Sequence, residues 1–315
     1  MKYRSTLIYL VLAALLVAFY YYETRNEERK QTAEEAARTL FSIKPEEVTS
    51  LVLKSGDQEI RLEKRSGTWE ILQPVRSGVD AFALSSLLNR LTGLKSVRVI
   101  AESAKDPSEF GLRQPEVVLT FRADNQDHTL VIGLMSPIEK GYYVTKNGDG
   151  RVYLISGDDK RALDRPLIDL RDKKLFTLKT EQIRRVILER KGERWVLDKK
   201  EGRWIFEGHS DLKIDPEKVE GFVRPILWAE AQSFAKEDAA DLKPYGLDTP
   251  QARISLSDAE HTEEISYGKD APQDRIFAVV KGKPQVVTVL KRLLDDLPKT
   301  EEDLVQKDNK EGTKQ

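Results

Sequence analysis

DPSEFGLRQP occupies residues 106–115, and DLKPYGLDTP occupies residues 241–250. Each holds an Asp, an aromatic-Gly-Leu triplet and a Pro in the same register, 135 positions apart. The register continues on both sides. Val48, Leu51, Val52 and Leu53 match Ile183, Val186, Ile187 and Leu188; Ile60 and Leu62 match Trp195 and Leu197. Gly67 and Trp69 match Gly202 and Trp204, Asp80 matches Asp215, and Gly133 matches Gly268. One residue is then lost, so that Tyr143 pairs with Phe277 and Val152 with Val286 at an offset of 134. So many apolar, Gly, Trp and Pro coincidences in one register identify a duplicated unit.

The matched positions predict the same elements twice. Leu84, Leu87, Leu88 and Leu91 form an i, i+3, i+4, i+7 stripe, as do Val219, Phe222, Val223 and Ile226, which is one amphipathic helix per copy. Asp80 and Asp215 stand where an N-cap belongs, and Pro216 follows at the first helical position. Val79 with Leu84, and Ile214 with Val219, have the spacing of a hydrophobic staple. Around the helix the pattern is strand-like. Val48–Lys54, Glu59–Lys64 and Trp69–Leu72 come before it. Ser96–Ala101, Val117–Arg122, Thr129–Ile132, Tyr142–Thr145 and Arg151–Ile155 come after it. The second copy repeats the series and is expected to end in a helix over Thr288–Leu297. The expected fold class is α+β: an N-terminal transmembrane helix, then two tandem repeats of a mostly antiparallel sheet with one main packed helix each.

The transmembrane expectation rests on Ser5–Tyr22, 18 uncharged and mostly apolar residues between Arg4 and Glu23. As a helix they reach about 27 Å, close to the ~30 Å hydrocarbon core. Tyr20, Tyr21 and Tyr22 fall where an interfacial aromatic belt lies. A cleaved secretory signal would have a shorter apolar run ending in small residues; this one ends in Phe19 and three tyrosines, so an uncleaved anchor is expected. Lys2 and Arg4 favour a cytoplasmic N-terminus, whereas Arg25, Arg29 and Lys30 pull the other way. The four-residue leading tail favours an outward-facing domain. The expected organisation is cytoplasmic tip and anchor at 1–22, stalk at 23–42, first repeat at 43–177, second repeat at 178–298 and a disordered tail at 299–315.

Composition narrows the function classes. The formal net charge is −1 from 52 basic and 53 acidic residues, with the signs interleaved, so there is no basic stripe for nucleic acid. The absence of cysteine removes disulfides, thiolate metal sites and cysteine nucleophiles. His128, His209 and His261 have no helical or hairpin spacing to one another, unlike clustered metal ligands; they read as solvent-facing loop histidines. Asp124-Asn125-Gln126-Asp127 lacks the Gly and late Glu of a calcium loop and reads as a hairpin turn. Gly148-Asp149-Gly150 opens no helix and precedes no Lys-Ser/Thr, so it reads as a turn and not a phosphate cradle. Paired carboxylates such as Asp158-Asp159 and Asp295-Asp296 read as solvated faces in a chain that is 33% charged. Gly111 and Gly246 are expected to end short turns capped by Asp106 and Asp241, in the left-handed conformation. Trp69 and Trp204 are expected in the core. No residue is assigned a catalytic, cofactor-binding or metal-binding role, and no cofactor is expected.

The early-strand Trp, the Phe/Tyr-Gly-Leu turn followed by Pro, and a strand ending in Gly, all behind one N-terminal anchor, resemble the bacterial family called domain of unknown function 4340. The resemblance covers Leu40 to about Pro298. One departure is Pro74 after the first Trp strand, where the second copy has His209. The resemblance implies a membrane-anchored bacterial protein, with relatives often encoded beside ATP-binding-cassette transporter genes, including those of gliding motility; it supplies no catalytic residues. The leading expectation is a non-enzymatic extracytoplasmic accessory protein in the inner membrane. It would contact lipid through its N-terminal helix and bind a protein partner such as a transporter component. The alternative is a module binding a small molecule or cell-envelope polymer in the cleft between the repeats. A hydrolase, the third class, would need carboxylates converging in a pocket.

Overall fold

The computed structural model describes residues 20–22, 25, 38–209 and 211–306. The chain divides into two compact units between Asp172 and Lys173. Most of the expected anchor, residues 1–19, lies outside the described residues. Tyr20–Tyr22 are helical and exposed. No helix among the described residues is long and apolar enough to cross a membrane.

The first unit holds β1 (Val48–Ser55), β2 (Gln58–Arg65), β3 (Thr68–Gln73), β4 (Ser77–Gly78), α1 (Ala81–Thr92) and β5 (Arg98–Ala101). It continues with β6 (Val117–Ala123), β7 (Gln126–Met135), β8 (Gly141–Lys146), β9 (Val152–Ser156), α2 (Gly157–Leu163) and α3 (Leu167–Leu170). All nine strands join one sheet in the order β4-β3-β2-β1-β6-β7-β8-β9-β5, every pairing antiparallel. Alternation decides which face is buried. Leu51, Leu53, Ile60, Leu62, Leu119 and Phe121 are buried with Leu84, Leu87, Leu88 and Leu91 of α1 in one core. The other face carries charge, including Arg61–Glu59 at 3.1 Å and Arg65–Glu63 at 2.8 Å; such exposed pairs contribute little to stability.

The second unit holds β10 (Arg185–Arg190), β11 (Glu193–Lys200), β12 (Arg203–Phe206), α4 (Pro216–Leu227) and β13 (Ser233–Lys236). It continues with β14 (Ala252–Ser257), β15 (Thr262–Ala271), β16 (Arg275–Val280), β17 (Val286–Leu290) and α5 (Arg292–Asp295). Its eight strands run β12-β11-β10-β14-β15-β16-β17-β13, the order of the first sheet without β4. Val219, Phe222, Val223 and Ile226 of α4 enter its core.

The helix starts follow the expected chemistry. Asp80 accepts from the Phe82 and Ala83 amides at 3.0 and 2.9 Å, and Asp215 from Glu217 at 3.0 Å. These satisfy amides that have no partner within the helix. Asp124 and Asn125 have φ of 50° and 60° between the paired Ala123 and Gln126, a two-residue hairpin turn of the primed kind.

Four expectations are corrected. The stalk ends before residue 42, because Leu40 and Phe41 are buried in the first core and Leu40 donates to the Leu94 carbonyl at 2.8 Å. The division falls at 172/173 and not 177/178, because Leu175 and Phe176 pack in the second core. The expected helix over Thr288–Leu297 is instead the end of β17 followed by the single turn α5; the β-branched run Val286-Val287-Thr288-Val289 suits a pleated, paired strand. The tail does not begin at 299. Leu304 is buried, its carbonyl accepts from Asp215 N at 2.8 Å, and Gln306 N donates to Lys213 at 2.9 Å. In the first unit Asp80 N donates to Leu170 at 2.9 Å and Asp172 N to Gly78 at 3.0 Å. Residues 299–306 are thus the repeat of 165–172, a strap that returns to the start of the unit's own helix.

Candidate functional site

The repeated Asp-x₃-aromatic-Gly-Leu-x₂-Pro stretch is the best-defined constellation in both units. Asp106 caps a 3₁₀ turn at Pro107–Phe110 by accepting from Ser108 N at 2.9 Å, and Asp241 accepts from Lys243 N at 3.0 Å. Gly111 and Gly246 close these turns at φ of 70° and 66°, as Gly tolerates best. The sequence reading missed a second role. A Cβ at Gly133 would lie 2.1 Å from the Phe110 carbonyl oxygen, and one at Gly268 2.2 Å from that of Tyr245. The two glycines of each unit let one backbone segment lie directly on another. The strands also do not end at Gly133 and Gly268; they continue, through irregularities in pairing, to Met135 and Ala271. Phe110 meets Tyr143 edge-on at 5.0 Å, and Tyr245 meets Phe277 at 5.2 Å. The constellation is a clamp of the fold.

The three histidines are not brought together. His128 is half-buried on β7, stacked on Phe121 at 5.2 Å, and so is no loop histidine. Its place in the alternation next to Phe41 and Phe121 puts it at the core margin. His209 lies edge-on to Phe206 at 5.2 Å with Nε2 3.5 Å from Glu301. The backbone N of His261 donates to Asp258 at 2.7 Å within a turn. Among the described residues no group of three or more His, Asp or Glu side chains is placed to hold a metal ion.

Among the described residues, the carboxylates with displaced pKa values are all displaced downward. Backbone amides lower Asp106, Asp258 and Asp303, and hydrogen bonds from Lys54 and Arg61 lower Glu59. These are charges held by caps and ion pairs, whereas a general acid needs its carboxyl pushed up. Asp159 forms a capping box with Ser156 and an ion pair with Arg90 at 3.0 Å, and Asp158 pairs with Arg161. The Tyr267 hydroxyl is fully buried without a hydrogen-bond partner among the described residues, and burial pushes its pKa up strongly.

One groove in the first unit has the dimensions of a ligand site. About 600 Å³ in volume, it runs between α1 and the β2–β3 hairpin, with Trp69, Val79, Leu84 and Leu88 as its apolar lining and Lys64, Ser85 and Asn89 as polar groups. Pockets of roughly 300–1,000 Å³ with such a mixed lining suit small ligands. Trp69 is half-buried there, whereas its counterpart Trp204 is buried, with the Lys199 ammonium 5.6 Å from its ring centre. The counterparts of Ser85 and Asn89 are Glu220 and Arg224, which pair along α4 at 3.2 Å. In the second unit a smaller groove of about 370 Å³ lies elsewhere, by Leu188, Trp195 and Pro298.

A family model described as a domain of unknown function, DUF4340, matches residues 69–208 and again 204–311. Each match starts at a repeated tryptophan strand, so the family frame is out of phase with the folded units. The first match begins at β3 and runs through β12. Comparison with curated proteins and with solved structures finds no match.

Proposed function

The chain belongs to the DUF4340 family in two tandem regions, and from that premise we propose that it is a membrane-anchored accessory protein whose paired domains bind a protein partner outside the cytoplasm. The observation that carries this reading is the uncharged stretch Ser5–Tyr22 ahead of two independently closed units. An apolar run of that length suits a membrane-spanning helix. The polar outer sheet faces and capped carboxylates support an interaction role over a reactive one. The partner we propose is a component of an ATP-binding-cassette transporter. Crosslinking in native membranes followed by purification and mass spectrometry tests it: transporter subunits should be recovered with the chain, and their absence against a matched anchor-only control overturns the proposal. Retention of the chain in membranes after a carbonate wash tests the anchor. An alkaline phosphatase fused after Gln315 should be active; activity only of a cytoplasmic reporter at that position reverses the orientation.

The Trp69 groove favours a second reading, a module that binds a small molecule or an envelope polymer. Soluble cell-wall fragments should then quench tryptophan fluorescence in the wild type but not in Trp69→Phe. Equal responses from both proteins remove this reading.

A further inference from the structure

The end of β7 and the loop joining it to β8 expose Leu134 (49%), Met135 (60%) and Ile138 (89%) within five residues. Singly exposed apolar side chains are ordinary, but a cluster of them marks a contact. The fold does not require this cluster. In the second unit Lys269 and Asp270 stand at the positions of Leu134 and Met135, and the corresponding turn, one residue shorter, carries Gln273 at its tip. Nor is the loop slack. Ser136 is buried; its N donates to the Gly141 carbonyl at 2.8 Å, and its hydroxyl accepts from Glu139 N at 3.2 Å and bonds Tyr143 at 3.1 Å. The apolar tip is therefore held out in a fixed shape.

Its position within the first unit identifies what it faces. Met135 lies opposite Tyr142, and Tyr142 opposite Ile155. The β5 strand lies beyond β9, and Val97 N donates to Leu154 O at 2.7 Å. Val97 is itself exposed, and Arg98 beside it forms an ion pair with Glu139 of the loop. The chain arrives at this same end: Ser96 N donates to the Arg38 carbonyl at 2.8 Å, and Thr39 bridges Lys95. Between Tyr22 and Arg38 there are 15 residues, which span at most about 50 Å when fully extended. The apolar tip thus lies at the end of the unit that is tethered to the apolar segment. Lys140 lies two residues from Ile138 in the sequence, and Arg98 reaches the loop through its ion pair with Glu139; basic side chains suit an anionic headgroup layer.

We propose that Leu134, Met135 and Ile138 form a second, shallow membrane contact of the first unit, inserting into the interface of the bilayer that holds Ser5–Tyr22. This rests on the anchor reading. It makes the first unit the membrane-apposed one and fixes its orientation to the bilayer.

The chain has no cysteine, so single labelling sites are simple to install. Ile138→Cys and, as its counterpart, Gln273→Cys are each labelled with an environment-sensitive fluorophore. Each full-length protein is reconstituted into vesicles of phosphatidylethanolamine with a minority of phosphatidylglycerol. The label at 138 should shift to the blue relative to detergent solution and be quenched by lipids spin-labelled near the headgroup; the label at 273 should do neither. Leu134→Lys, Met135→Asp and Ile138→Gln combined install the side chains that the second unit already carries. A label placed at Pro137 in that variant should lose the blue shift, while carbonate-resistant membrane association persists. A label at 138 that stays wet in vesicles overturns the proposal while carbonate retention leaves the anchor standing; carbonate release of the chain overturns the anchor. A label dry already in detergent, in a concentration-dependent way, assigns the surface to a second copy. One dry only in native membranes, and wet in pure lipid, assigns it to a protein. Either result overturns the lipid contact.

Discussion

Replacing Gly133 by alanine adds a Cβ 2.1 Å from the Phe110 carbonyl oxygen, 3.1 Å from the Gly111 carbonyl carbon and 3.2 Å from a Leu112 methyl. Even a close carbon–oxygen contact needs about 3.3 Å, so the two backbone segments must part by more than about 1 Å. Two of the three colliding atoms are backbone and cannot rotate away. Overpacking of this kind costs about 1–3 kcal/mol. The displacement also pulls Phe110 from Tyr143, and an edge-on aromatic pair contributes about 1 kcal/mol. The expected loss is therefore about 3 kcal/mol, or roughly 10 °C in the melting of the first unit at about 3–4 °C per kcal/mol for a unit of this size. Gly157→Ala is the matched control. Its Cβ meets nothing within 4 Å, and its φ is not in the left-handed region, so it should melt within about 1 kcal/mol of the wild type or slightly above it. Circular dichroism melts of the full chain in detergent provide the comparison. If Gly133→Ala melts with the wild type, or if Gly157→Ala falls as far, close backbone approach is not why glycine stands at 133.

Four further outcomes can be checked by the same melts. Asp80→Ala should cost about 1 kcal/mol, because two amides lose their acceptor; an unchanged midpoint would mean the cap contributes nothing. Gly246→Val should cost more than about 1 kcal/mol through its positive φ. Gly246→Asn should be milder but still destabilising, because any Cβ there comes 3.0 Å from Lys269 N; if both melt with the wild type, the turn is not structural and its surroundings become a place to seek a ligand. Leu304→Ala should cost about 2–5 kcal/mol as a buried leucine, and a loss below about 0.5 kcal/mol would return residues 299–306 to the status of a tail. Tyr267→Phe should leave stability unchanged or raise it by about 1 kcal/mol, since it removes a buried hydroxyl with no partner; a marked fall would show that the hydroxyl is satisfied in solution.

The features legible in the sequence were those whose causes are local. Asp80 and Asp215 were readable as caps because the acceptor and its amides are two or three residues apart. The helix stripes and the Asp124-Asn125 turn have local periodicity or turn chemistry for the same reason. The strap was not legible by composition: residues 299–306 are polar but for Leu304 and Val305, and their burial depends on pairing with Ile214 far earlier in the chain. A signal was nevertheless present, since Leu304 repeats Leu170 at the offset of 134 that already held for Val286. The Thr288–Leu297 helix was misjudged because its apolar residues fit a helical stripe, while pairing with β16 on one side and β13 on the other claims Val286–Val289 for the sheet. The Gly133 contact joins segments 22 positions apart; the equal spacing of Gly246 and Gly268 was the only trace of it. The tryptophans of the Trp69 groove gave no sequence signal, because they are identical in the two copies; the difference lies in neighbours such as Ser85 and Asn89, where the second copy has Glu220 and Arg224.

The glycine clamp alters what the connection between β5 and β6 can do over time. Connections of this length on a protein surface ordinarily open far more often than the sheet they span. Here the Gly111 and Leu112 amides donate to Ser108 and Pro107, each at 3.0 Å, and the turn they close rests on the backbone of β7. Its amides can therefore exchange with solvent only when β7 itself gives way. Hydrogen exchange over residues 106–115 should be as slow as in the strands, and chain insertions should be accepted at 102–105 but rejected a few residues later. The second unit carries the same arrangement at Gly246 and Gly268, so each sheet has one stretch that looks like a loop and exchanges like a strand.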